Sequence, residues 1–221
     1  MKLTIFNCSP KPGKNNTNVL LEKFVDGFKQ ENKNEAYMYK LNQLETMDKA
    51  LEVFDNAEAV MIALPLYCYS MPGGVKLFIE ALEPLCGKCK GKKLMFLVQY
   101  GFREAIHARP LEKYFIKLSK ILDCDYVGTI IKGGCDGLSI GRGPNNNDIL
   151  NGIHNIGETF GKTFMLSKSE LDGYSEPEVE EEQSISIMEN IVSQANEYHW
   201  SAMLKNNGIS IEESYAKPYE I

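Results

Sequence analysis

The chain has 221 residues, 43% of them hydrophobic and 24% charged, with a formal net charge of −6. That length suits one well-filled core with a tail rather than two domains, and the acidic balance argues against general affinity for nucleic acid or anionic membranes, which need clustered Lys and Arg. The amino terminus lacks the long apolar stretch of a secretory signal, and no run approaches the roughly 18 apolar residues of a membrane span, so a cytoplasmic protein with a small-molecule partner is expected.

Residues 2–8 read as a short apolar strand. The turn-rich SPKPGKNNTN follows, and then residues 19–29, where Leu20, Leu21, Phe24, Val25 and Phe28 recur at helical spacing. A second strand covers 36–41 and a short helix 48–54. The third strand, AVMIALPLY, is almost wholly apolar, as a strand buried on both faces should be. After a polar and aromatic loop, Val75, Phe78, Ala81, Leu82 and Leu85 mark one helix face; residues 93–100 form the fourth strand. Leu111, Phe115, Leu118 and Leu122 then line a helix, 126–131 is the fifth strand, and Ile149, Ile153, Ile156, Phe160 and Phe164 line the fifth helix.

Alternating strands and helices require parallel strands with right-handed crossovers and helices on both faces of one sheet. Five units of this length favour the doubly wound order 2-1-3-4-5, whose ligands lie beyond the carboxyl ends of the strands near the switch point between strands one and three. The loops to read are therefore 9–18, 65–74 and 100–109. Residues 1–168 make up this α/β domain. From 169 to 221 the texture is that of a linker and helical extension: an acidic run at 176–182 reads as solvated, helical spacing resumes through Ile187, Met188, Ile191, Val192 and Ala195, and Tyr215 and Tyr219 lie near the end.

The first loop joins a buried strand to a helix whose free N–H groups favour an anion. Asn16, Thr17 and Asn18 are placed to cap that helix, Ser9 offers a hydroxyl, Lys11 a cation, and Gly13 the backbone freedom to wrap a phosphate. Neither a Walker A pattern nor G-x-G-x-x-G is present, which points to a monophosphate rather than a triphosphate or dinucleotide. A plain capped helix with solvated lysines is the alternative. The six cysteines, Cys8, Cys68, Cys86, Cys89, Cys124 and Cys135, are scattered; Cys86 and Cys89 form a C-x-x-C, but no second ligand pair accompanies it, so free thiols and no metal are expected.

Asn7-Cys8-Ser9-Pro10-Lys11 with Asn16-Thr17-Asn18, and Pro65-Leu66-Tyr67 followed by Met71-Pro72-Gly73-Gly74-Val75-Lys76, resemble the two signature loops of the NADPH-dependent FMN reductase family, the flavodoxin-like NAD(P)H oxidoreductases. The resemblance covers residues 1–168. It implies a flavodoxin-like fold, FMN as cofactor, NADPH or NADH as co-substrate, a small electron acceptor (a quinone, flavin, nitro- or azo-compound) and a homodimer. It places Ser9, Lys11, Asn16, Thr17 and Asn18 around the FMN phosphate, and Pro65, Leu66, Tyr67, Cys68, Tyr69, Ser70 and Met71 beside the ring; Gly101 and Phe102 join them from the fourth-strand loop. Two departures stand out: Cys8 occupies a usual glycine, and Gln99-Tyr100-Gly101-Phe102-Arg103 replaces a Ser/Thr and paired-glycine loop. Relatives with a four-cysteine iron–sulfur cluster differ from this chain, which has no cysteine at 40–55.

The chemistry implied is hydride transfer at the flavin, so no protein nucleophile is needed. Tyr67, Tyr69, Tyr100 and Phe102 are candidate pocket walls. Arg103 either steers a nicotinamide phosphate or pairs with Glu104; His107, His154 and His199 read as structural. The glycine-rich GGCDGLSIGRGP after strand five is either a lid or a surface loop. A flavodoxin-like electron carrier with protein partners is the second reading, and a flavin-free binding module the third.

Overall fold

The computed structural model describes residues 1–31, 33–141, 146–181, 189, 193 and 200–217. Five strands, β1 (Lys2–Asn7), β2 (Glu35–Lys40), β3 (Ala59–Pro65), β4 (Lys93–Gln99) and β5 (Asp125–Lys132), alternate with α1 (Asn16–Phe28), α2 (Met47–Asp55), α3 (Gly73–Ala81), α4 (Arg109–Leu122) and α5 (Asn146–Thr163). All pairings are parallel, in the order β2-β1-β3-β4-β5 that the pattern predicts.

Period-two alternation sends successive strand residues to opposite faces, and each face has its own core. Phe6, Ile62, Leu64, Phe96 and Val98 meet Phe54 of α2, Phe78 of α3 and Phe115 of α4. Phe96 and Phe115 stack with centroids 3.9 Å apart. On the other face Ile5, Met61, Ala63 and Leu97 meet Leu20 and Phe24 of α1 and Ile153 and Phe160 of α5. β3, central and buried at every position, is covered by both layers. The two helices of the second layer touch backbone to backbone: a Cβ on Gly27 would lie 2.0 Å from the His154 carbonyl oxygen, and one on Gly157 would lie 2.1 Å from that of Phe24.

Several boundaries differ from the sequence expectation. The cap of α1 is Asn15, whose Oδ1 accepts the Asn18 N–H at 3.0 Å, so Asn16, Thr17 and Asn18 form the first turn instead of capping it. β3 stops at Pro65 rather than Tyr67, because residues 67–70 fold back as a turn. α3 ends at Ala81, and Pro84 begins a separate 3-10 turn, Glu83–Leu85.

Past α5 the chain makes a further helix, α6 (Lys168–Ser175), with Ser167 accepting the Glu170 N–H at its start. Leu171 is buried in the α1/α5 core, the Tyr174 hydroxyl donates to Ile149 O at 3.0 Å, and Lys132 Nζ donates to Tyr174 O at 2.8 Å. The first compact unit accordingly spans Met1–Val179, with Glu180–Ile221 as the second. The expectation of a solvated acidic run is corrected at Glu178, whose carboxylate accepts from Arg109. In the second unit, Ser210 and Glu213 form a capping box on Ile211–Ser214. Ile187, Met188, Ile191, Val192 and Ala195, expected along a tail helix, lie outside the described residues, as do His199 and Tyr219. Among the described residues no helix is long and apolar enough to cross a membrane.

Candidate functional site

The carboxyl edge of the sheet is stepped. β1 ends with Asn7 opposite Ala63, whereas β3 runs on to Pro65 opposite Gln99. Two residues of strand amount to about 6.6 Å, and this step above β1 is the switch point of the topology, where such sheets have their ligand recess. The first loop fills its rim. Cys8 N–H donates to Ala63 O at 2.8 Å, Ser9 N–H to Asn7 Oδ1 at 3.0 Å, and the loop then turns outward through exposed Pro10, Lys11, Pro12, Gly13 and Lys14. Gly13 has φ +71°, a conformation glycine adopts without strain.

Amides hold this loop from within. Asn15 Nδ2 donates to Lys11 O and Gly13 O, both at 3.2 Å, and Asn18 Nδ2 donates to Gly13 O at 3.3 Å while its Oδ1 accepts from Asn7 Nδ2. With the side chains so committed, what the first turn of α1 has left to offer an anion is backbone N–H, that of half-buried Asn16 before that of fully buried Thr17.

The helix ends sort by charge. α2, α4, α5 and α6 each carry an Asp or Glu in the first turn, where it offsets the positive end of the helix dipole. α1 and α3 carry none, and they are the two helices that follow β1 and β3 across the recess. Lys11 and Lys14 add positive charge beside α1, in a chain whose net charge is −6.

The second loop is a tight turn closed by Tyr67 N–H to Ser70 O at 2.9 Å and Ser70 N–H to Tyr67 O at 3.0 Å. Its central residues, Cys68 (φ 47°) and Tyr69 (φ 59°), are both left-handed, the signature of a type I′ turn and uncommon outside Gly, Asn and Asp. The turn holds Tyr69 61% exposed and within 5.3 Å, centroid to centroid, of His107. From the third loop Phe102, 66% exposed, stands 5.1 Å from the same imidazole, and Tyr100 stands 6.3 Å from it. His107 thus lies among three aromatic rings, its Nε2 3.1 Å from Glu104 Oε2. Tyr100 donates its hydroxyl to Glu104 O at 2.9 Å, and burial pushes that phenol's pKa well up, so it stays protonated at neutral pH.

The segment after β5 closes the edge. Asn16 Nδ2 donates to Cys135 O at 2.7 Å and Asn16 Oδ1 accepts from Ser139 N–H at 2.9 Å, which ties this glycine-rich stretch to the first turn of α1. Cys135 N–H donates to Tyr100 O at 2.9 Å, and the Asp136 carboxylate crowds Gly101 so closely that a Cβ there would lie 2.5 Å from Oδ2. As far as Gly141, this segment is an anchored loop; Arg142, Gly143 and Pro144 lie outside the described residues.

The sequence matches the family profile described as the flavodoxin-like fold over residues 1–137. The chain belongs to the flavodoxin-like fold family. No curated protein sequence matches it. Among solved structures, this flavodoxin-like protein is similar to an azoreductase from Bacillus anthracis str. Sterne (15% identity, TM-score 0.57, 74% of this chain and 99% of that one). It is also similar to oxidised Flavodoxin 1 from Bacillus cereus (13% identity, TM-score 0.55, 76% and 100%) and to an NADH:FMN oxidoreductase in its apo form (15% identity, TM-score 0.55, 80% and 96%). At such identities the likeness bears on the fold.

Within this flavodoxin-like frame the residues singled out by sequence divide into three groups. Ser9, nearly buried, and exposed Lys11 line the rim of the recess, and Tyr67, Cys68, Tyr69, Ser70 and Phe102 are exposed at its mouth. Gly101, Leu66 and Met71 are half-buried, the last two packed on the core, and Leu66 N–H donates to Gln99 O at 2.9 Å. Pro65 is buried in the sheet, and the side chains of Asn16, Thr17 and Asn18 are spent on internal bonds. Thr17 is fully buried, its Oγ1 accepting from Gln99 Nε2 at 3.1 Å across the end of β3. Sequence reasoning read His107 as structural and Glu104 only as a partner for Arg103, and did not single out Asp136. A lone histidine eight residues past strand four carries no pattern, and only the fold brings it to Tyr69. Of the thiols, Cys68 and Cys86 are exposed; Cys8, Cys89 and Cys135 are buried and Cys124 half-buried, with burial pushing Cys124 and Cys135 up to about 12. Among the described residues no three His, Cys, Asp or Glu side chains group to hold a metal.

Proposed function

We propose that this protein is an FMN-dependent NAD(P)H oxidoreductase that passes electrons to a small planar acceptor such as a quinone, a flavin, or a nitro- or azo-compound. The observation that carries the reading is that the two helix ends flanking the recess, those of α1 and α3, are the ones left without a first-turn acid, while Lys11 and Lys14 stand in the loop before α1. Uncompensated N–H groups and cations at a strand-to-helix turn suit a phosphate monoester. The azoreductase and the NADH:FMN oxidoreductase among the structural relatives support the same reading.

The residues present fit FMN. The backbone N–H of Asn16 at the start of α1, with Ser9 and Lys11, would hold its phosphate; the 67–71 turn with Gly101 and Phe102 would border its ring. When bound, the flavin supplies the redox chemistry, taking a hydride from NAD(P)H and returning electrons to the acceptor. The chain's own part is to bind, orient and exclude water. Tyr69, Phe102 and His107 offer ring faces against which a flat acceptor or a nicotinamide stacks. A homodimer belongs to the same proposal.

Anaerobic mixing of FMN-loaded protein with NADH, and separately with NADPH, tests the reading through flavin absorbance. Bleaching on the scale of seconds is expected with at least one of them. Flavin that stays oxidised with both transfers the assignment to an electron carrier, the role of the flavodoxin relative.

A further inference from the structure

The wall that carries His107 does not hold itself. Residues 105–108 form a single 3-10 turn, Ala105–Ala108, whose first N–H groups have no acceptor within the turn. They find one in the segment after α6: Ala105 N–H donates to Pro177 O at 2.9 Å and Ile106 N–H to Glu178 O at 3.1 Å. Glu178 is then gripped a second time. Arg109 forks onto its carboxylate, with Nε 3.2 Å from Oε1 and Nη2 2.7 Å from Oε2, and the same guanidinium reaches Glu112 at 2.8 Å, Ser175 Oγ at 3.3 Å and Asp172 at 3.5 Å. The attachments at 106 and 109 bracket His107, and one residue takes both. The far end of that residue's segment is fixed in turn by Lys132 Nζ on Tyr174 O and by the Tyr174 hydroxyl on Ile149 O.

We propose that Glu178, clamped by Arg109, is the positioning residue for the acceptor-side wall: it sets where His107 stands against Tyr69 and Phe102, and so how tightly a flat acceptor is held. Neither residue touches the reacting atoms. The bidentate fork fixes angle as well as distance, which lysine does not reproduce. Without the segment that the clamp holds in place, the 3-10 turn has two unpaired N–H groups, and its histidine is left with Glu104 and the rings beside it. The acceptor assignment rests on the proposed function; the placement of His107 does not.

The test uses the full chain loaded with FMN. Tyr69, Tyr100 and Phe102 displace the imidazole proton signals of His107 by ring currents, and His107→Gln assigns those signals among the three histidines. In Glu178→Ala the signals are expected to move toward free-imidazole positions, with KM for a water-soluble benzoquinone raised roughly three- to tenfold and kcat and FMN affinity within about twofold. Arg109→Lys, which keeps the charge and loses the fork, is expected to fall between and serves as the measurement if Glu178→Ala does not fold. His107 signals that stay in place in both variants overturn the proposal, and so do signals that move while KM is unchanged. A wild type that reduces no benzoquinone, but whose His107 signals respond to Glu178→Ala, removes the functional reading and leaves the clamp standing.

Discussion

At the scale of single residues, environment separates groups that the sequence makes look alike. Six cysteines divide into two that are exposed, Cys68 and Cys86, and four that are wholly or partly withdrawn. A thiol reagent at pH 8 is expected to modify two sites per chain quickly and the other four only as the protein unfolds; four or more fast sites would contradict the burial described. Cys135, raised to about 12 by burial, also has a pH consequence. The unfolded chain releases that proton near the ordinary thiol range while the folded chain retains it, so stability is complete below about pH 8.5 and falls as pH rises toward 12. Cys135→Ala should flatten that alkaline loss in a thermal-unfolding series, whatever its effect at neutral pH. The left-handed turn at Cys68 and Tyr69 gives a second residue-level test. Asparagine tolerates this conformation, so Cys68→Asn is expected to raise stability by roughly 0.5 kcal/mol, read as a higher melting temperature. Nothing in YCYS announced that turn, because neither glycine nor asparagine marks it; the alternative of an extended strand through Tyr67 was the natural reading of an apolar run.

Among the secondary-structure elements, the strands were legible and the close approaches were not. AVMIALP reads as a doubly buried strand from composition alone, and α1, α4 and α5 from spacing. Gly27 and Gly157 gave no such signal: each sits inside a helix where glycine costs stability on propensity grounds, and only the α1/α5 contact explains them. Two substitutions of the same kind should therefore diverge in chemical denaturation. Gly157→Ala, which forces a methyl into the backbone of α1, is expected to cost about 2–4 kcal/mol. Gly173→Ala, in α6 with nothing within 4 Å of its would-be Cβ, is expected to gain about 0.5–1 kcal/mol. Equal effects would mean that the seam is looser than described. The α6 helix had a signature, Ser167-Lys168-Ser169-Glu170, the spacing of a capping box, but the acidic stretch beyond it blurs the pattern. Its apolar face is short, and its partners, Lys132 and the α5 carbonyl of Ile149, are distant in sequence.

For the whole molecule, topology does most of the functional work. The order β2-β1-β3-β4-β5 sets the loops after β1, β3 and β4 along one edge, and it was readable from alternation and connection rules. What those loops do with their side chains was not. Asn16, Thr17 and Asn18 were expected around a phosphate; the fold spends their amides and hydroxyl on the β5–α5 segment, on Gln99 and on Asn7, so an anion there would be held by backbone N–H and lysine. Local sequence cannot distinguish an asparagine that faces a ligand from one that ties two loops together. The same division gives the central claim its sharpest test: titration of the apo chain with FMN and with riboflavin, followed by flavin fluorescence. If the recess is a phosphate cradle, FMN binds at least about a hundredfold more tightly than riboflavin, and Lys11→Ala narrows that gap severalfold. Equal affinity for the two flavins, or none for either, would contradict the account.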